Sequence, residues 1–189
     1  QVGDADTFSQ PVHLKSTSHF VPQTIGFSWQ YAFSRGTQIT MGMDWEFWSR
    51  YEPPFLIVTT SRADGSRSET VAPSVPMKNT WNPRFALSVP LSSRWFSSLG
   101  YQYRPTPVED LSGETNILDS DTHIVSAKLG YRFPANAVLN FPVALSMATQ
   151  YHWITRRSVQ KASTEQVGSP EYTLAGNSYL IGITLETGI

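Results

Sequence analysis

Residues 24–33 read TIGFSWQYAF, and their alternation decides the fold. Successive side chains on a strand point to opposite faces. Ile25, Phe27, Trp29, Tyr31 and Phe33 therefore share one face, and Thr24, Gly26, Ser28, Gln30 and Ala32 share the other. The first face is continuously apolar; the second is small or polar. The same pattern returns in 38–48, 80–91, 94–104, 122–133, 143–154 and 178–189. Each segment is close to the ~9–11 residues with which a tilted strand crosses a bilayer. Gly, Ser, Thr, Gln and charge dominate the second face, which suits the lumen of a barrel. The expected fold is all-β: a transmembrane antiparallel up-and-down β-barrel wall. Ile25, Met43, Leu87, Leu129, Met147 and Ile183 are expected on its outside.

Composition agrees with that reading. Charged residues make up 15% of the 189, against about 25% in an average soluble chain. Aromatics reach 13%, as expected where Trp and Tyr mark membrane interfaces. The formal net charge of −1 offers no basic field for nucleic acid. Mean hydropathy is −0.26, and no apolar run approaches the length of a transmembrane helix. Cysteine is absent, which an oxidising cell envelope permits but does not require.

The connections between the seven segments alternate strictly: 34–37 short, 49–79 long, 92–93 short, 105–121 long, 134–142 short, 155–177 long. A meander of antiparallel strands with short periplasmic turns and long extracellular loops gives that order. A soluble β-sandwich would have to bury seven aromatic-rich faces, more than a chain of this length accommodates. The expected division is one unit, with 1–23 an extracellular lead-in and 24–189 a seven-strand meander. Seven is odd, and an unpaired strand edge cannot lie in lipid. The start, QVGDADTFSQ, also has no signal-peptide character. The expectation is therefore part of a larger barrel, broken at an extracellular loop and completed by a second chain or by a missing N-terminal portion.

Several stretches in order carry a resemblance. VPQT (21–24) leads into a strand and a four-residue turn, and MGMDWEFWSRY (41–51) follows. MKNTW (77–81) comes next, then a strand ending in RPTPV (104–108), then LDSDTH (118–123) and LGYRF (129–133). This order and spacing resemble the C-terminal half of the long-chain fatty-acid transporter family of outer-membrane β-barrels, which includes toluene and xylene uptake channels. GDAD (3–6) resembles the segment just after the preceding strand in that family. The resemblance implies a monomeric 14-strand barrel with an N-terminal plug, carrying hydrophobic molecules inward across the outer membrane of a Gram-negative bacterium. By this resemblance the plug and the kinked strand that opens the wall fall outside this chain. Two departures stand out. The family places a basic residue a few positions before the MKNTW-like stretch, whereas 71–76 reads VAPSVP, with Arg67 and Lys78 nearby. Barrels also usually finish on an aromatic residue, and this chain finishes on Ile189.

The polar faces place Asp44, Glu46, Arg84, Lys128, Arg132, His152 and Glu186 toward the lumen. Charge on a lipid face is costly, which favours that orientation. Two readings stay open: a passage or headgroup site, or a network of ion pairs that props the lumen and satisfies buried charge. His13, His19, His123 and His152 show no metal-ligand spacing, and no GxSxG occurs, so neither a metal, a cofactor nor a catalytic residue is expected. Trp29, Trp45, Trp81, Trp95 and Trp153 read as lipid and interface contacts. The expected function is passive uptake of hydrophobic small molecules such as long-chain fatty acids. The alternative is a structural barrel subunit of a secretion or surface assembly. Expected partners are membrane lipid and lipopolysaccharide, a hydrophobic ligand or detergent in the lumen, and, through the long loops, other envelope proteins.

Overall fold

A computed structural model describes residues 12–16, 20–51, 55–61, 67–71, 75–109, 111–112, 118–134, 142–165 and 168–187. In chain order the strands are β1 (Val12–Ser16), β2 (Thr24–Ala32), β3 (Gln38–Glu46), β4 (Phe55–Ser61), β5 (Arg67–Val71), β6 (Thr80–Pro90), β7 (Trp95–Arg104), β8 (Thr122–Phe133), β9 (Val143–Gln160) and β10 (Glu171–Thr187). Seven of them form one antiparallel sheet in the order β10-β9-β8-β7-β6-β3-β2. Every neighbour in that sheet is the next alternating segment of the chain, so it is the all-β, up-and-down meander that the sequence predicts. The sheet is open. β2 and β10 are its edges, and both run from the long-connection end to the short-connection end.

Pairing register fixes which residues share a face. Ile25 lies opposite Trp45, and Trp45 opposite Trp81. Leu87 lies opposite Leu99, Leu129 opposite Met147, and Met147 opposite Ile183. On the other face Asp44 meets Asn82, Arg84 meets Gly42 and Gln102, and Lys128 meets Ser98 and Ala148. One face is thus apolar and the other polar along the whole sheet. The apolar side chains do not converge on an interior: Leu99 is 60% exposed and Ile183 75%. The polar face is the more covered one, with Gly42, Asn82, Gly130 and Ser146 buried, as on the inner side of a curved wall.

The short connections are built from local chemistry. Phe33 N–H donates to Thr37 O at 2.8 Å, and Gly36 takes φ 80°, a left-handed conformation natural to glycine. Ser92 Oγ accepts from the N–H groups of Arg94 and Trp95 at 3.2 and 3.0 Å. Pro83 and Pro90 sit within β6 without harm. Pro83 lies opposite Met43 in the β3–β6 ladder but just outside the β6–β7 ladder, which runs from Arg84 and is closed by Pro90.

The long connections depart from the sequence reading in three places. The segments 1–23 and 49–79 are not wholly loop. β1 pairs with β4, and β4 with β5, in a separate three-stranded sheet. The second strand of the meander, expected over 38–48, stops at Glu46, and Trp48 begins a 3₁₀ turn (Trp48–Arg50). There Tyr51 N–H bonds Trp48 O at 2.8 Å, and Phe20 packs near both rings. Finally, β9 and β10 reach 18 and 17 residues, taking in much of the segment 155–177 expected as loop. The expected 134–142 connector lies mostly outside the described residues.

The described residues have one buried apolar cluster, and it lies at this long-connection end rather than within the wall. Val75, Val108, Leu111 and Val159 are buried there, with Met77, Tyr172 and Leu174 packed around them.

Candidate functional site

The seven charged or titratable residues predicted for the polar face all lie on it, but in separate groups. Asp44 on β3 and Arg84 on β6 form an ion pair next to Gly42, where a Cβ would collide with the guanidinium. Glu46, one step along β3 on the same face, accepts from Trp48 Nε1 at 2.6 Å and from Thr80 Oγ1 at 3.4 Å. Lys128 on β8 reaches Glu186 on β10 at 3.1 Å, across the intervening strand β9. The reach is open because β9 places Ala144 opposite Glu186 and Ala148 opposite Lys128. His152 has Gln150 as its neighbour at 3.4 Å.

Arg132 is held differently. Its Cζ lies 4.7 Å from the centroid of the Phe96 ring, and Lys128 Nζ lies 5.7 Å from the same ring. Such contacts contribute roughly 0.5–1 kcal/mol at exposed sites. Phe96 occupies this position because its cross-strand partner is Gly130, whose missing side chain leaves room for the ring. Around it lies a hollow of about 430 Å³, with Gln38, Ser98, Lys128 and Arg132 among its walls. A smaller hollow of about 180 Å³ lies among Arg84, Gln102, Ser126 and Gln150. Among the described residues no group of three or more His, Asp or Glu side chains is placed to hold a metal ion.

Sequence reasoning missed two members of this face. Phe96 fell on the inward face without being given a part; the signal was a large aromatic opposite a glycine. Asn82 is 3% exposed, and its Oδ1 has no hydrogen-bond partner. Nothing in the alternation distinguishes it from other polar residues.

The opposite face carries aromatic groups near both ends of the strands. Trp45 stacks on Trp81 with centroids 4.7 Å apart, and His123 lies 5.0 Å from Tyr103 and 5.3 Å from Trp153, all toward the long connections. Toward the short connections Trp95 packs on Tyr131 at 5.0 Å, and Tyr131 on Phe133 at 4.8 Å. Trp95 to Tyr103 is about 26 Å along the strand at ~3.3 Å per residue. Tilted by ~40°, that length spans about 20 Å along the membrane normal, within the roughly 25 Å apolar belt of outer-membrane barrels. Leu99, Val125, Leu129 and Met147 lie between the two aromatic levels, and each is exposed.

The sheet is similar to part of a crystal structure of a Pseudomonas aeruginosa FadL homologue, with a TM-score of 0.56 and 16% identity over 87% of this chain. The match takes in 34% of that structure, so this chain spans about a third of its length. At that identity the likeness speaks for the fold, a portion of a barrel wall. No curated protein matches the chain. The family model described as "Outer membrane protein transport protein (OMPP1/FadL/TodX)" matches residues 13–187, nearly the full length. With strand order, facing and family match in agreement, the chain belongs to this family of outer-membrane transport proteins.

Proposed function

We propose that the chain forms about half of the wall of an outer-membrane channel for hydrophobic small molecules, long-chain fatty acids among them. One observation carries the reading: an apolar, aromatic-banded face backs onto a polar face bearing paired charges, in a chain of a transport family. An apolar exterior requires lipid around it, and a polar interior gives a solute a route that does not cross the bilayer core. The free edges of β2 and β10 require strands from outside these residues to complete the wall. On this reading Asp44–Arg84 and Lys128–Glu186 hold the inner surface in shape, while Arg132 over Phe96 is available to a polar headgroup.

The test is uptake. Outer membranes carrying the full-length protein should take up a labelled long-chain fatty acid, or a small aromatic hydrocarbon, faster than membranes lacking it. Equal uptake for both solute classes contradicts the reading and leaves a structural barrel role as the better account.

A further inference from the structure

The β9–β10 ladder contains one irregularity. Leu174 pairs with Arg157 and Gly176 with Ile154, so β9 carries one residue more than β10 across that step, at Thr155 and Arg156. Such a bulge bends the strand and resets its alternation. Below it, even-numbered β9 residues such as Ala148, Gln150 and His152 share the polar face with Lys128, Ser126 and Ile124. Above it, odd-numbered Arg157 and Val159 take over that face, opposite Leu174 and Tyr172. An unbroken alternation would have turned Arg157 and Val159 to the outside. The pairing with β8 also ends here, at Thr122–Ile154, so the hairpin leaves the wall at the bulge.

What the reset face meets is the β7–β8 connection. Val159, Tyr172 and Leu174 pack on Val108 and Leu111, with Val75 and Met77 from the lead into β6. Backbone bonds tie the pieces together: Lys78 N–H to Pro107 O at 2.8 Å and Ala162 N–H to Ser112 O at 3.0 Å. The Arg157 guanidinium donates to Val108 O and Glu109 O, both at 3.0 Å, and Lys161 Nζ donates to Leu111 O at 2.7 Å. Two cations from the hairpin thus hold the carbonyls of Val108, Glu109 and Leu111, in a connection whose own pairing is the single bridge between Val108 and Met77. Asp119 and Asp121 anchor its base, accepting from Thr106 Oγ1 and Thr106 N–H at 2.8 Å each.

We propose that β9 and β10 beyond the bulge, with Pro105–Glu109, Leu111 and Ser112 of the β7–β8 connection, form one folded cap on the inner side of the wall, pinned by Arg157, that restricts access to the lumen from outside. The proposal rests on the reading of the polar face as a lumen. Arg157 is a positioning residue, since its effect on a solute runs through the segment it holds.

The experiment measures access directly. In the full-length protein, with any cysteine outside these 189 residues replaced by serine, Gln102→Cys places a single thiol on the polar face near the cap. A membrane-impermeant maleimide is added from outside, and the labelling rate is followed. Arg157→Gln should raise the rate several-fold. Arg157→Lys should give a smaller rise, because one ammonium cannot span both carbonyls as a guanidinium does. Arg156→Gln, at the neighbouring exposed side chain, should leave the rate at the parent value. If Arg157→Gln fails to assemble, Lys161→Gln loosens the same segment by a second route and is read in the same way. Labelling of assembled variants at the parent rate overturns the proposal. Solute uptake by the same membranes reports separately on the channel reading: labelling that responds to Arg157 without any uptake upholds the cap and rejects the channel.

Discussion

Gly130 is fixed by its neighbour. Phe96 lies across the strand from it, and a Cβ on Gly130 would fall within the ring. Gly130→Ala should therefore push Phe96 from its place beneath Arg132 and destabilise the folded protein by about 1–3 kcal/mol, the usual cost of overpacking. Adding Phe96→Leu to that variant should recover much of the loss, a coupling that denaturant titration of the four proteins in a double-mutant cycle would detect. Simple additivity would show that the ring moves freely. The charged residues on this face were legible from alternation because a period of two leaves each side chain a choice between lipid and lumen. Their partners were not. Lys128 reaches Glu186 across an entire strand, which depends on the small residues of β9 in between.

At the scale of the strand, facing is the property with the largest energetic consequence. Leu99 and Ser98 are adjacent on β7, yet Leu99 belongs to the apolar band and Ser98 to the hollow beside Phe96. Leu99→Arg should cost about 2–4 kcal/mol, the depth-dependent penalty for a midplane cation on a barrel's lipid face. Ser98→Arg should cost far less. Unfolding of both variants in lipid vesicles decides the matter, and equal costs would mean that the two faces share one environment. These faces were readable because seven segments repeat one pattern. The extent of β9 and β10 was not, since the segment 155–177 is polar and rich in turn-forming residues. What keeps it extended is tertiary: Val159, Tyr172 and Leu174 close on Val108 and Leu111, and the bulge breaks the alternation at that very point. β4 and β5 were hidden for a similar reason, lying between Pro53-Pro54 and Pro73 with Asp64-Gly65 between them.

At the scale of the whole molecule, the seven-stranded sheet behaves as a wall rather than a domain with a core. Its apolar residues face outward, its buried apolar cluster sits at one end, and its two edge strands run the same way. A second copy of the sheet with its long connections on the same side would join β10 to β2 in parallel, against the antiparallel pattern of every other joint. An odd-numbered set of strands closes such a wall antiparallel throughout, which the remaining length of the matched FadL homologue has room to supply. The central claim is that one face of this wall meets lipid and the other lines an aqueous passage. Spin labels placed one at a time along β7, from Trp95 to Arg104, in the full-length protein in bilayers test it most directly. The account predicts a strict period of two: labels at 95, 97, 99 and 101 relaxed by lipid-soluble oxygen, and labels at 96, 98, 100 and 102 relaxed by a water-soluble nickel complex. Equal exposure of both sets to the nickel complex, or to oxygen, would contradict it.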